Sequence, residues 1–351
     1  MAEEQTIPVA VVGATGYTGA ELLRLLVGHP RVEVVRVCGH GKAGQPIAAV
    51  LPSFAGVLDG EVAAFDAADV AEAARVAFCA LPHGASAGIV DELRRRGVTV
   101  FDLSADFRLR DLGTYTATYG AHLAPERVGE AVYGLVELHR AALRSADLVA
   151  VPGCYPTSAI LPLAPLLRQG LVSASGIVVD AKSGVSGAGR APRASTHLPE
   201  AAEGIRAYKA GGGHRHVPEI EQELSGVAGE EVRVSFTPHL VPMTRGILAT
   251  AYATAVPGTT AQACTEAARA LYAESPSVVV LDAGAHPDTL WVRGSNRAHV
   301  AYAVDARAGR VVAQCALDNL VKGAGGQAVQ AFNVRFGLGE DAGLRATAVW
   351  P

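Results

Sequence analysis

The chain has 351 residues, of which 50% are apolar and 18% charged, and its formal net charge is −4. This length predicts two domains, and the composition excludes a disordered chain. The charges form no block of one sign, which disfavours nucleic acid or an anionic membrane surface as the main partner. The five cysteines include no CxxC pair, so neither a disulfide framework nor a metal site is expected. A reducing cytoplasm fits this pattern, and the acidic N-terminus predicts no signal peptide.

Strand-like and helix-like segments alternate over the first 150 residues. Continuous apolar strands between helices predict an α/β domain with a parallel sheet covered on both faces. The predicted strands are Pro8–Val12, Val32–Cys38, Arg75–Leu81 and Val98–Leu103, and the predicted helices are Thr18–Val27 and Gly84–Arg96. Residues 148–167 carry no charge but contain four prolines, which favour a strand, a turn and a buried helix over a membrane span.

Strands follow one another more closely in the second half of the chain. This pattern predicts a second, α+β domain with a mixed or antiparallel sheet. The predicted strands are Ile177–Ala181, Val232–Thr237, Gly246–Ala255, Val278–Leu281, His299–Asp305 and Arg310–Leu317, and the predicted helices lie near Pro218–Leu224 and Thr260–Glu274. The segment Asp318–Phe332 is predicted as one long Ala-rich helix.

A glycine-rich turn joins the first predicted strand to the first helix. The stretch VAVVGATGYTGAELL places Gly13, Gly16 and Gly19 at the spacing G-x-x-G-x-x-G. Such a turn lets the backbone approach phosphate at a helix N-terminus, which favours a dinucleotide site over an ordinary strand-to-helix turn.

The end of the second predicted strand lacks the acid that usually binds the ribose 2′-hydroxyl of NAD. Residues 37–42 read VCGHGK, so His40 and Lys42 could instead meet a 2′-phosphate. Each residue taken singly could equally belong to a solvated loop. The missing acid predicts NADP as cofactor.

Cys154 stands on a turn, in VPGCYPTSAILPLAPLL, whereas the other four cysteines lie in apolar runs. A thiol at a helix N-terminus meets the positive end of the helix dipole, which favours the thiolate, and the nearby N–H groups can hold an oxyanion. Thr157 or Ser158 could cap the helix that follows. We therefore favour a nucleophile over a buried structural cysteine, and acyl-phosphate or aldehyde chemistry through a thioester.

Two histidines follow a glycine run in GGGHRHVPEIEQEL and are candidates for the acid/base. A solvent-exposed loop is the alternative for His214 and His216, and no carboxylate or cysteine stands nearby at metal-ligand spacing.

The stretch FDLSADFRLRD would bring Ser104, Asp106 and Arg108 into a cleft, where Arg108 could bind a phosphoryl group. A surface Asp106–Arg108 pair is the alternative.

The chain resembles the N-acetyl-gamma-glutamyl-phosphate reductase family of arginine biosynthesis over nearly its whole length. The resemblance rests on the order and spacing of GATGYTGAELLRLL, ALPHG, DLSADFR, VPGCYPT, SGVSGAGR, GHRHVPEI, FTPHLVPMTRGIL and DNLVKGAGGQAVQAFN. Gly213 departs from it, because a larger residue is expected there.

The resemblance implies the two-domain architecture of aspartate-semialdehyde and glyceraldehyde-phosphate dehydrogenases. Residues 1–152, completed by 318–351, would form a Rossmann-type NADP-binding domain, and residues 153–317 an inserted catalytic and dimerisation domain. A cytoplasmic homodimer or homotetramer acting on a small molecule is implied. The reaction implied is NADPH-dependent reduction of an acyl phosphate to a semialdehyde, with a thioester on the cysteine.

Matching positions imply roles for individual residues. Cys154 would be the nucleophile and His216 the acid/base. The substrate-binding residues implied are Arg108, His214, Ser183 and Tyr208. The cofactor-binding residues implied are Gly13, Thr15, Gly16, Tyr17, Thr18, Gly19, His40, Lys42, Leu81, Pro82, Ser104, Gly184, Ser186, Gly187 and Asn319.

Three alternatives remain at this point. Two are other acyl-phosphate reductases, namely aspartate-semialdehyde dehydrogenase and the carrier-linked aminoadipyl-phosphate reductase of lysine synthesis. The third is a non-catalytic NADP-sensing protein, which would not need Cys154 or His216. A short-chain dehydrogenase is disfavoured because no tyrosine in the chain has a lysine four places on.

Overall fold

A computed structural model describes residues 6–350, which divide into two compact units. The first unit runs through Pro152 and takes up Ala324–Arg345, and the second holds Gly153–Gly323 and the residues after Arg345. The prediction had placed all of 318–351 in the first domain. In the structure, residues 318–323 and those after Arg345 group with the second unit instead.

The first unit is built on a parallel sheet, as predicted. Its strands are β1 (Ile7–Val12), β2 (Val32–Cys38), β3 (Val76–Cys79), β4 (Thr99–Asp102), β5 (Val132–Tyr133) and β6 (Leu148–Ala150). Its helices up to residue 152 are α1 (Tyr17–Val27), α2 (Ile47–Val50), α3 (Ala67–Ala73), α4 (Ser86–Arg95), α5 (Leu112–Tyr119) and α6 (Val136–Leu143). The strands pair in the order β2-β1-β3-β4-β6-β5.

The strand order reverses beside β1, which lies between β2 and β3. In open parallel sheets, ligands bind at the carboxyl edge near such a reversal. The glycine turn after β1, the Leu81–Pro82 segment after β3 and Ser104 after β4 all lie at this edge. The fold therefore brings most of the predicted cofactor residues of the first unit to one place.

The second unit is built on a mixed sheet, also as predicted. Its strands are β7 (Ile177–Gly184), β8 (Arg206–Ala207), β9 (Val234–Val241), β10 (Ile247–Thr254), β11 (Val278–Val280), β12 (Ala298–Asp305) and β13 (Arg310–Leu317). Its helices are α7 (Cys154–Arg168), α8 (Leu198–Ala201), α9 (Val217–Ala228) and α10 (Ala261–Leu271). The strand order is β11-β12-β13-β10-β7-β9-β8.

Helix α7 is the core helix of the second unit. It is buried from Tyr155 to Leu167 and contacts α9, α10, β10 and β13. The uncharged run at 148–167 is thus strand β6, a turn and this buried helix, as the prolines predicted. Among residues 6–350, no helix is long and apolar enough to cross a membrane.

The prediction of one helix over Asp318–Phe332 is wrong. The Asp318 carboxylate accepts hydrogen bonds from the backbone N–H groups of Leu320 and Val321, at 2.8 and 3.2 Å, and so begins a new turn. A π-helical turn follows over Val321–Gly325, and only then does α11 (Gly326–Arg335) begin. Glycine is a poor helix former, and the glycines of KGAGG weaken a regular helix here.

Helix α11 belongs to the first unit. Its Phe332 ring lies 5.8 Å from Phe78 of β3 and 6.0 Å from Phe101 of β4, while Phe78 and Phe101 stack at 5.1 Å. The Gln330 amide donates to Glu137 of α6 at 2.9 Å. These contacts cover one face of the parallel sheet.

Candidate active site

The turn after β1 has the shape that a dinucleotide phosphate needs. Gly13 has a φ of +85°, and a Cβ built on it would lie 2.4 Å from the Ala80 carbonyl oxygen. A Cβ on Gly19 would lie 2.4 Å from the Gly13 carbonyl oxygen. Gly16 precedes the first residue of α1 and, as a glycine, has no side chain with which to cap the helix. Side chains are thus excluded at Gly13 and Gly19, and the N-terminus of α1 suits a pyrophosphate.

The predicted 2′-phosphate residues lie just beyond β2. A Cβ on Gly39 would lie 2.6 Å from the Thr15 side chain, so this loop packs tightly on the glycine turn. His40 and Lys42 follow and are exposed. The loop therefore presents two basic side chains next to the turn, and no acid.

Ser104 and Asp106 are buried rather than exposed at the end of β4. The Ser104 hydroxyl donates to the Asp102 carboxylate at 2.6 Å. Asp106 accepts hydrogen bonds from the backbone of the loop before α4, including Gly84 at 2.7 Å. The alternative of a surface Asp106–Arg108 pair is therefore wrong, since both residues are buried. Burial raises the pKa of Asp102 to about 6.

Arg108 lies beneath the carboxyl edge of the sheet. Its guanidinium donates to the carbonyl oxygens of Val151 and Leu103, at 2.7 and 2.8 Å. These carbonyls directly follow β6 and β4, so the side chain ties two strand ends together. Its assignment as a substrate ligand stays a prediction.

Cys154 is the first residue of α7 and is partly exposed, whereas the other four cysteines are buried. The backbone N–H of Gly153, which precedes the helix, donates to the buried Glu219 carboxylate of α9 at 2.8 Å. A Cβ on Gly323 would lie 2.7 Å from the Cys154 Cβ, so the π-helical turn packs directly against the cysteine. The thiol position is thus fixed from two sides.

The predicted cap of α7 is wrong. The Thr157 hydroxyl donates to the Gly153 carbonyl at 2.9 Å, and the Ser158 hydroxyl donates to the Tyr155 carbonyl at 2.9 Å. Both residues lie inside the helix, because it begins already at Cys154. The residue before the helix is Gly153, which has no side chain with which to cap this terminus.

His214 and His216 lie in an aromatic cluster before α9. The backbone N–H of His216 donates to Nδ1 of His214 at 3.1 Å, and the two rings are 4.8 Å apart. The Tyr155 ring lies 5.5 Å from His214 and 6.0 Å from His216. Burial lowers the pKa of His214 to about 4, and the charges of Lys209 and Arg215 act in the same direction. His214 is therefore neutral at neutral pH.

The hydroxyls of Tyr208 and Tyr155 are hydrogen-bonded to each other beside the histidines. Tyr208 donates to the Tyr155 hydroxyl at 3.1 Å, and Tyr155 donates to the His239 carbonyl at 3.3 Å. Burial raises the pKa of Tyr208 to about 12, and the charge of Cys154 contributes to the shift. Cys154, both histidines and Tyr208 are thus brought together within the second unit.

A second group of predicted residues surrounds Asn319. Its side-chain oxygen accepts from the Gly246 backbone at 2.8 Å, and its amide nitrogen donates to the Ser186 hydroxyl at 2.9 Å. A Cβ on Gly187 would lie 3.2 Å from the Ser183 hydroxyl oxygen, and one on Gly184 would lie 2.8 Å from the backbone at Thr244. Asn319 therefore clamps the Gly/Ser loop after β7, and its proposed contact with the cofactor stays a prediction.

Glu219 and Gly323 were not recognised from the sequence. Glu219 stands three residues after His216, and only its burial reveals that it binds the turn before Cys154. Gly323 lies within the motif DNLVKGAGGQAVQAFN, but the motif does not indicate which of its glycines faces Cys154. Among residues 6–350, no group of three or more His, Cys, Asp or Glu side chains could hold a metal ion.

Comparison with known proteins identifies the family. The semialdehyde dehydrogenase NAD-binding domain matches residues 8–146, and the semialdehyde dehydrogenase dimerisation domain matches residues 154–319. The N-acetyl-gamma-glutamyl-phosphate reductase of Pelobacter propionicus is 49% identical over 98% of this chain and 99% of its own length. The chain belongs to the N-acetyl-gamma-glutamyl-phosphate reductase family. The reductase of Moorella thermoacetica is 48% identical over 98% of this chain and 100% of its own.

Solved structures agree with this family in fold. Aspartate semialdehyde dehydrogenase II from Vibrio cholerae superposes with a TM-score of 0.72 at 18% identity, over 94% of this chain and 98% of that one. The aspartate semialdehyde dehydrogenase with NADP from Candida albicans gives 0.71 at 15% identity, over 94% of this chain and 98% of that one. The predicted architecture is confirmed, and the chain is an oxidoreductase with a domain for a nicotinamide cofactor.

Family membership also decides among the alternatives drawn from the sequence. Aspartate-semialdehyde dehydrogenases share the fold at 14–20% identity, whereas the named reductases share nearly half of all residues. The family resemblance predicted from the motifs is therefore confirmed.

Proposed function

We propose that the protein reduces N-acetyl-L-glutamyl 5-phosphate to N-acetyl-L-glutamate 5-semialdehyde and phosphate, with NADPH, in arginine biosynthesis. The observation that carries the proposal is the partly exposed Cys154 at the start of α7, in a chain whose other four cysteines are buried. The relatives named N-acetyl-gamma-glutamyl-phosphate reductase, which this chain matches end to end, support the choice of substrate.

The residues of the first unit fit a dinucleotide. The turn around Gly13 and Gly16 would hold the pyrophosphate at the N-terminus of α1, where an added Cβ on Gly13 has no room. His40 and Lys42 would meet a 2′-phosphate, which supports NADP over NAD. When bound, the nicotinamide supplies the hydride of the reaction.

Cys154 acts first, as nucleophile. Its thiolate attacks the acyl carbon, the bond from that carbon to the phosphate oxygen breaks, and a thioester remains on Cys154 while phosphate leaves. The N-terminus of α7 stabilises the negative charge that develops on the carbonyl oxygen. Glu219 holds the turn before the cysteine and so keeps the thiol at this helix end.

His216 is the acid/base. It provides the proton that the substrate oxygen takes up and accepts one when the aldehyde forms and Cys154 leaves. His214 is proposed to bind and orient the substrate beside His216, and its Nδ1 accepts a hydrogen bond from the His216 backbone. Because His214 is neutral, it acts through hydrogen bonding rather than charge. Tyr208, Ser183 and Arg108 are proposed to bind the substrate.

A second copy of the chain is proposed to cover the open face of the mixed sheet. Val178 of β7 pairs directly with Tyr252 of β10, and these apolar side chains are 41% and 40% exposed. Both lie within the residues matched by the dimerisation domain. Sedimentation of the purified chain should show a dimer or tetramer, and Tyr252→Asp should shift it toward monomer.

The substrate is tested in the reverse direction, with semialdehyde, NADP and phosphate supplied and NADPH absorbance followed. N-acetylglutamate semialdehyde should be oxidised about a thousandfold faster than aspartate semialdehyde, because a pocket for a neutral acetamido group would leave a free ammonium buried without a partner. Phosphate or arsenate should be required, since an oxyanion must attack the Cys154 thioester. Faster turnover of aspartate semialdehyde would reject the proposed substrate.

The cofactor is tested in the same assay. Because the end of β2 carries no acid for a ribose 2′-hydroxyl, NADP should give a much higher kcat/KM than NAD. Comparable values for the two cofactors would reject the assignment of His40 and Lys42.

A further inference from the structure

Asp106 is a buried carboxylate that receives hydrogen bonds from four donors. Oδ1 accepts from the Gly84 backbone at 2.7 Å and from the Tyr115 hydroxyl at 3.0 Å. Oδ2 accepts from the backbones of Ser86 and Ala87 at 3.1 and 3.0 Å. The side chain is fully buried. Charged hydrogen bonds of this kind are stronger than neutral ones, so the four donors are held firmly.

The backbone donors belong to the loop between β3 and α4 and to the first turn of α4. The residue that precedes α4 is Ala85, which cannot cap the helix with its side chain. Asp106 takes over this capping role from the loop after β4, twenty residues further along the chain. The Ser86 hydroxyl also donates to Asp102 at 2.6 Å, so the start of α4 is attached to the end of β4 at two carboxylates.

The same loop forms one wall of the glycine turn. It leaves β3 at Ala80, whose carbonyl oxygen leaves no room for a side chain at Gly13. Leu81 and Pro82 follow, and Gly84 is the residue that Asp106 holds. Asp106 thus fixes the far end of a segment whose near end contacts the proposed dinucleotide site.

We propose that Asp106 is a positioning residue for the nicotinamide cofactor, which holds the Leu81–Gly84 segment against the glycine turn. The inference rests on the proposed function in so far as Leu81 and Pro82 contact the cofactor. The carboxylate also caps the N-terminus of α4 through the N–H groups of Ser86 and Ala87.

The variant Asp106→Asn tests the hydrogen bond to the loop separately from the helix cap. If the amide nitrogen takes the Oδ2 position, it faces the N–H groups of both Ser86 and Ala87. If it takes the Oδ1 position, it faces only the N–H of Gly84, while the Tyr115 hydroxyl can rotate to accept. The second orientation is favoured, so the variant keeps the cap on α4 and releases Gly84.

The test is NADPH binding to the purified full-length chain, measured by fluorescence without turnover. Asp106→Asn should raise the Kd for NADPH, and the KM for NADP, about tenfold or more. The KM for the semialdehyde and the rate at which iodoacetamide alkylates Cys154 should stay within about twofold.

Two variants serve as controls. Tyr115→Phe removes another donor from the same carboxylate and leaves the Gly84 bond, so it should lower Tm without changing the Kd for NADPH. The Asp111 carboxylate caps α5 by accepting a hydrogen bond from the Thr114 backbone at 2.7 Å. Asp111→Asn alters this cap and should also leave the Kd for NADPH unchanged.

Wild-type affinity for NADPH in Asp106→Asn would overturn the inference. So would a parallel loss of NADPH affinity, semialdehyde KM and Tm, because that pattern describes a fold-wide defect. A wild-type chain that binds no NADPH would instead reject the proposed cofactor, and this inference with it.

Discussion

Replacing Gly323 with alanine should displace Cys154, the proposed nucleophile. The new Cβ would lie 2.7 Å from the Cys154 Cβ and 3.2 Å from its Cα. Carbon atoms in contact are ordinarily about 3.5 Å apart or more, so one side must move by roughly 0.8 Å. Neither Cys154 nor Gly323 moves easily. The Gly153 N–H before the cysteine donates a hydrogen bond to Glu219, and the Gly323 N–H donates to the Asp318 carbonyl at 2.9 Å.

A displacement of this size is large for a reacting atom, since a misplacement of about 1 Å can cost about a hundredfold in rate. We expect kcat in the reverse assay to fall between about ten and a hundredfold in Gly323→Ala. The alkylation rate of Cys154, followed by intact mass, should change as well. NADPH affinity should change far less than kcat, because the glycine turn belongs to the other unit.

The matched control is Gly226→Ala in α9, where an added Cβ meets nothing within 4 Å. Alanine favours a helix interior over glycine, so this variant should gain about 0.5–1 kcal/mol in stability and keep its kcat. Wild-type kcat and alkylation rate in a well-folded Gly323→Ala would refute the reasoning.

Three further predictions concern single side chains. Cys154→Ala should abolish turnover while NADPH binding and Tm are retained, and a substantial residual rate would make the cysteine structural. His216→Asn should lower kcat by about a hundredfold or more, whereas His214→Asn should mainly raise KM; the opposite result in steady-state kinetics would exchange the two roles. Burial raises the pKa of Asp102 to about 6, against 3.8 for an ordinary aspartate, so the folded chain binds more protons than the unfolded one between these values. Its stability should therefore fall as pH rises through this window, by about 3 kcal/mol in total, and urea titrations of Asp102→Asn should lack that fall.

The local pattern of apolar residues, glycines and prolines was sufficient to predict most of the fold. Strand β13 was predicted over its full extent, because RVVAQCAL is a short, mostly apolar run between Gly309 and Asp318. The C-terminal helix was mispredicted, because alanine content outweighed the glycines and the capping role of Asp318 was overlooked. The spacing of Thr157 and Ser158 suggested a cap only because the helix start was placed too late.

Contacts between distant segments could not be predicted from the sequence. Nothing near Arg108 in the chain indicates that its guanidinium binds the carbonyls of Val151 and Leu103. The contact of Glu219 could not be predicted either, since its hydrogen-bond partner Gly153 lies 66 residues away in the chain. Cys154 and His216 could be proposed from the sequence because nucleophile and acid/base chemistry restrict residue type and local setting, whereas positioning side chains are restricted only by the folded geometry.

The burial of four cysteines has a consequence for oxidative damage. Burial raises the pKa of the Cys38 and Cys264 thiols to about 11 and raises that of Cys79 and Cys315 as well, so these four stay protonated and shielded. Among the five cysteines, peroxide should therefore attack Cys154 alone. A sulfenic acid formed there finds no exposed cysteine of its own chain with which to close a disulfide. Recovery then depends on a small thiol such as glutathione, and without one a second equivalent of peroxide oxidises the sulfenic acid to the irreversible sulfinic acid.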